Sequence, residues 1–138
     1  SFAQRVWQSM VPKLLGQGTT TAVYFSSIHE AATTALAETC LAFGQRSYVG
    51  RVAMDHPDGT PDWYRDLSAS DGLEASHRSI VDIRSLPGNH GLVQPIVTPR
   101  KARPIVSICS SIMSLRFFSG SCSASILTPS ARKVVALI

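Results

Sequence analysis

Apolar residues near the start of the chain recur at helical spacing: Phe2, Val6, Met10 and Leu14, with Trp7 and Val11 widening the stripe. That spacing predicts an amphipathic helix that stops at Gly16 and Gly18. The period then changes. Residues 19–25 (TTTAVYF) are β-branched and aromatic and bounded by turn residues, which predicts a strand buried on both faces or nearly so. Residues 29–43 are rich in alanine and leucine, and Gly44 follows as a stop, giving a second helix. Residues 46–54 (RSYVGRVAM) predict a second strand in which Gly50 suggests close backbone packing.

The acidic, proline-punctuated stretch HPDGTPDWYRDLSASDG follows and reads as a solvated, turn-forming loop. Asp71 and Glu74 have capping-box spacing, and Ile80, Val81 and Ile83 supply part of an apolar face, so a helix is predicted over 73–85, ended by Pro87 and Gly88. Residues 92–98 (LVQPIVT) predict a third strand. Pro95 inside it argues for a bulge or an unpaired position, and Pro99 and Arg100 close it.

Helices and strands alternating in this way predict an α/β fold with a parallel sheet, whose strand C-termini share one rim. Ser26 to His29, Asp55 with His56, and Arg100 are all placed on that rim, where ligands sit in α/β barrels and open α/β sheets alike.

Charge divides the chain more sharply than the pattern does. The net charge is +4, yet residues 1–100 carry all 9 acids against 8 of the 13 basic residues. Residues 101–138 hold the other 5 basic residues, no acid and 9 serines, with no sustained period. The expected division is therefore a folded unit over 1–100 and an irregular, basic, Ser-rich tail over 101–138. Lys101, Arg103, Arg116, Arg132 and Lys133 are too dispersed for a strong nucleic-acid footprint, and no nucleic-acid partner is expected. Arg116 and the repeated serines within 105–127 argue against a membrane span there. Three scattered cysteines with no C-x-x-C favour a reducing, cytoplasmic setting.

Local chemistry is sparse. His29, His56, His77 and His90 form no H-x-H or H-x-x-x-H pair, so nothing local assembles a metal site; His29 and His56 share the rim, while His77 and His90 read as surface positions. Ser26, Ser27 and His29 match no nucleophile signature, and GQGTT lacks the lysine of a phosphate loop. Arg100 stands out as a planar fork of donors just past a strand and a proline, suited to a carbonyl beside a ring nitrogen. From composition alone the ordinary reading, a surface or loop-anchoring arginine, is the favoured one.

The segments GTTTAVYFSSIH, FGQRSYVGRVAMD and QPIVTPR, in that order, resemble guanine deaminases, zinc-dependent members of the amidohydrolase superfamily, across about residues 2–100. The resemblance implies a partial (β/α)8 barrel, roughly its strands two to four, and a hydrolytic enzyme that converts guanine to xanthine and ammonia, dimeric when intact. Another nucleobase deaminase of that superfamily, or a non-catalytic truncated product, is the alternative. The arginine of the family's T-P-R element contacts the purine, which falls on Arg100; the family's next residue is usually Phe, and here it is Lys101. The family's zinc is held by an H-x-H, two further histidines and an aspartate, with a glutamate moving protons, and none of these has a counterpart in this chain. The expectation is therefore an incomplete gene product that keeps part of a purine pocket without its catalytic centre, its tail foreign to the family.

Overall fold

The structure, a computed structural model, describes residues 1–100 and the strand Val134–Leu137. It opens with α1 (Phe2–Gly16), capped by the Ser1 hydroxyl, which accepts from the Gln4 amide. Val11 is its buried residue, with Trp7, Met10, Leu14 and Leu15 packed on the core. Phe2 is 75% exposed and Val6 37% exposed, so the predicted stripe holds from Trp7 to Leu14 and leaves the core at its N-terminal end. Helix geometry explains the difference: a four-residue step overshoots one turn by about 40°, and a row of such steps spirals off the contact line. Trp7 fixes the contact by donating its indole N–H to the Ala32 carbonyl at 3.1 Å.

Next come β1 (Thr21–Phe25), α2 (Glu30–Ala42, N-capped by His29), β2 (Arg46–Gly50) and β3 (Val52–Ala53). Two 3-10 turns, Pro57–Gly59 and Asp62–Tyr64, lead to α3 (Ala69–Ser85), which is followed by β4 (Val93–Pro95), β5 (Thr98–Pro99) and β6 (Val134–Leu137). The main sheet runs β4-β2-β1-β6 with every pairing parallel, and β3 pairs with β5, also parallel. Each predicted later strand is thus split in two, at Arg51 and after Pro95.

The helices cover one face of the sheet. Ala22, Tyr24, Val49 and Val93 join Val11, Leu36, Ala37, Cys40 and Ile83 in the buried cluster. The alternate residues face the other way: Thr21 and Val23 are half-buried, and Phe25, Arg46 and Tyr48 are exposed. The expectation of a strand buried on both faces is therefore corrected for β1, since no described helix lies over its second face.

Within the core, the Tyr24 hydroxyl donates to Gln45 Oε1 at 2.6 Å, and Gln45 Nε2 donates to the Thr19 carbonyl at 2.9 Å. The Cys40 thiol shares Gln45 Oε1 at 3.7 Å, and burial pushes its pKa up to about 11. At pH 8 it stays a thiol, which is a poor nucleophile. Iodoacetamide at pH 8 is thus expected to leave Cys40 unmodified in the folded chain and to label it in urea; labelling at equal rates, read by peptide mapping, would contradict this packing.

Three expectations shift. The α3 helix begins at Ala69 and not at residue 73, because Ser68 is the cap: its hydroxyl accepts from the Asp71 amide at 3.1 Å and donates to Asp71 Oδ2 at 2.7 Å. Glu74 serves no cap; it pairs with Arg78 at 2.8 Å, and Arg78 also reaches Glu30 at 2.9 Å. The tail is not irregular throughout, since Val134–Leu137 forms β6 beside β1. The apolar stretch 105–127 and the basic residues Lys101, Arg103, Arg116, Arg132 and Lys133 lie outside the described residues. Among those described, no helix is long and apolar enough to cross a membrane.

Candidate functional site

Parallel pairing brings the C-terminal ends of β1, β3 and β5 together. The Ser26 amide donates to the Gly50 carbonyl at 2.9 Å, the Val52 amide to the Ser27 carbonyl at 3.1 Å, and the Arg100 amide to the Ala53 carbonyl at 2.9 Å. Phe25, Ser26, Val52, Met54 and Arg100 thereby line one side of a cavity of about 310 Å³. Gly59, Thr60, Pro61 and Tyr64 close the other side from the loop after β3.

That loop is held by a buried ion pair between Arg51 and Asp66, whose side chains are 4% and 7% exposed. Asp66 Oδ2 also accepts from the Met54 amide at 2.9 Å, and the Asp66 amide donates to the Met54 carbonyl at 2.6 Å. Arg51 Nη1 reaches the Gly72 carbonyl at 3.4 Å, and the Thr98 hydroxyl donates to the Arg51 carbonyl at 2.6 Å. One arginine therefore ties the strand break, the loop and the first turn of α3 together. The reading of this acidic stretch as solvated is corrected at Asp66, because its carboxylate finds a guanidinium and an amide that replace water. The signals that could have found the pair are Arg51 inside an apolar strand and Gly72 inside a helix. A Cβ on Gly72 would come within 2.9 Å of Asp66 Oδ2.

The other rim residues have local tasks. The His29 ring meets Tyr64 edge-on at 5.8 Å, and the Ser27 hydroxyl accepts from the His29 amide at 3.2 Å. His56 caps the first 3-10 turn, its Nδ1 accepting from the Asp58 amide at 3.3 Å. His77 and His90 are exposed, as expected. Among the described residues no three of His, Cys, Asp and Glu come together as a metal centre. Arg100, the one residue singled out from sequence for binding, lies on the cavity wall with its side chain exposed.

An apolar hollow with an aromatic wall and one guanidinium fork suits a flat, hydrogen-bonding heterocycle, and about 310 Å³ lies at the small end of ligand pockets. No protein-family model matches the chain. It is 39% identical over 100 residues to the probable guanine deaminase of Schizosaccharomyces pombe, a match covering 72% of this chain and 19% of the relative. It is 38% identical over 99 residues to human guanine deaminase, covering 72% and 21%, and 40% identical over 101 residues to that of Dictyostelium discoideum, covering 73% and 21%. The chain thus spans about a fifth of the length of these curated relatives. Among solved structures, guanine deaminase from C. acetobutylicum with guanine bound in its active site matches with a TM-score of 0.64 at 26% identity, over 72% of this chain and 22% of that one. The E. coli guanine deaminase matches with a TM-score of 0.71 at 25% identity, over 83% and 26%. The resemblance to guanine deaminases read from the residues is borne out by sequence and by fold.

Proposed function

We propose that this chain is a segment of a guanine deaminase, carrying neighbouring staves of a (β/α)8 barrel, and that Arg100 grips the purine. The carrying observation is Arg100 at the mouth of an apolar cavity built from strand ends, in a chain similar to a protein solved with guanine in its active site. Five N–H donors in a rigid fork fit the adjacent O6 and N7 of guanine, which a lysine's point charge does not match. Phe25, Met54 and Tyr64 supply apolar area for the ring faces and exclude water from the charged hydrogen bonds.

In the intact enzyme the reaction is hydrolytic: water adds to the ring carbon bearing the amino group, ammonia leaves, and xanthine results. Family membership implies zinc for activating that water, in a cytoplasmic and dimeric enzyme. The described residues do not fit the metal, because His29 and His56 are engaged with Tyr64 and the Asp58 amide and no third ligand joins them. This segment is therefore assigned substrate binding and no step at the metal.

The test is guanine titrated into the 138-residue chain and followed by the fluorescence of Trp63, whose ring lies 5.8 Å from that of Tyr64. Binding is expected to weaken by about 10-fold to 100-fold in Arg100→Ala, the range carried by hydrogen bonds to a charged group. Arg100→Lys should restore only part of it. Zinc added with guanine should release no ammonia. Equal guanine affinity in the parent chain and Arg100→Ala would sink the reading.

A further inference from the structure

Three α-helices start within the described residues, and one of them does so without a side-chain cap. The Ser1 hydroxyl accepts from the Gln4 amide, and the Ser68 hydroxyl accepts from the Asp71 amide. At α2 the N-cap residue is His29, in extended conformation, and its side chain makes no cap hydrogen bond. Serine, threonine, asparagine and aspartate are the residues that satisfy a helix's first amides, so a histidine here forgoes that stabilisation. A local rule broken in this way marks a position held for another task.

The imidazole is turned to the loop opposite. Its ring lies 5.8 Å from that of Tyr64 at an interplanar angle of 70°, the edge-to-face arrangement that aromatic pairs prefer. The His29 main chain is fixed on both sides. Its amide donates to Ser27 Oγ at 3.2 Å, and its carbonyl accepts from the Thr33 amide and the Thr33 hydroxyl, each at 3.2 Å. Tyr64 is held less firmly by its own loop. Its amide donates to the Pro61 carbonyl at 2.9 Å within a 3-10 turn, and its other ring neighbour, Trp63 at 5.8 Å, is itself 82% exposed.

Tyr64 closes the cavity on the side opposite Phe25, Ser26 and Arg100, whereas His29 is not among the residues that line it. His29 stands three residues beyond Ser26 in the same connection, so its ring ties the two sides together from outside the wall. We propose that His29 is a positioning residue for guanine capture: it holds the Tyr64 ring where a flat guest meets it, without touching the guest. The proposal rests on the purine reading of the cavity. A Tyr64 ring swung out to solvent would leave the guest's face wet and the charged hydrogen bonds of Arg100 open to water. The contact is worth about threefold to tenfold in affinity, the weight of one aromatic pair.

Two substitutions at this one position separate positioning from support of the fold. His29→Asn supplies the missing cap and removes the ring edge. It is expected to unfold at a urea concentration no lower than the parent's, while guanine binding, read by equilibrium dialysis on the 138-residue chain, weakens by about threefold to tenfold. His29→Phe keeps a ring edge and supplies no cap, and it is expected to bind guanine within about twofold of the parent. NOEs between the His29 and Tyr64 rings are expected in the guanine-free parent chain, and their absence overturns the proposal. Guanine held as tightly by His29→Asn as by the parent overturns it too, as does a His29→Phe as weak as His29→Asn. Loss of stability and binding together in His29→Asn would assign the histidine to the fold alone, with the same result. If Arg100→Ala weakens binding while His29→Asn does not, the purine reading stands and this one falls; a parent chain that takes up no guanine overturns both.

Discussion

Asp66→Ala is expected to destabilise the chain by about 3–5 kcal/mol, the cost of leaving one member of a buried ion pair without its partner. The Arg51 guanidinium, 5% exposed as a residue, would lose its carboxylate and keep only the long contact to the Gly72 carbonyl. The Met54 amide would lose its acceptor as well. Urea unfolding followed by circular dichroism reads the loss. The double variant Arg51→Met, Asp66→Leu should recover most of it, because apolar groups of similar volume fill the space with no charge to strand. If Asp66→Ala unfolds at the parent's urea concentration, the pair is not buried as described.

The second large effect is expected at Gly50, where β2 ends. A Cβ there would lie 2.7 Å from Thr98 Oγ1 and 2.8 Å from the Ile96 carbonyl oxygen, and it would strike Thr98 Cγ2 as well. Thr98 is 2% exposed and its hydroxyl is engaged with the Arg51 carbonyl, so moving its side chain aside costs that hydrogen bond and disturbs a packed site. Overpacking of this kind costs about 1–3 kcal/mol, and a backbone carbonyl among the struck atoms puts Gly50→Ala at or above the upper end. Adding Thr98→Ser removes Cγ2 alone and should rescue only part. A parent-like melting curve for Gly50→Ala would show that the two segments do not approach this closely.

Much of this arrangement was legible in the residues. Gly50 was read as a point of close backbone approach, and Thr98 is what approaches it. Pro95 was read as an interruption, and β4 stops there. The shared rim followed from alternating helices and strands alone, and Arg100 stands on it. The Arg51–Asp66 pair was not legible because a charged residue in a loop reads as solvated unless its partner is known, and the partner lies across a strand break. The cap of α3 was misplaced because two acid-bearing motifs overlap, and Ser68 with Asp71 completes a reciprocal pair that Asp71 with Glu74 does not. β6 escaped because a four-residue run in an acid-free tail has no periodicity to detect. It becomes a strand only because β1 offers it a ladder.

The Arg51 clamp also bears on how tightly anything can be held beside it. Because Met54 and the loop carrying Gly59, Thr60, Pro61 and Tyr64 are anchored through Asp66 before any guest arrives, a guest has little disorder to freeze out on entry. Loosening the clamp should therefore weaken capture chiefly through entropy, with the heat of each polar contact almost unaltered.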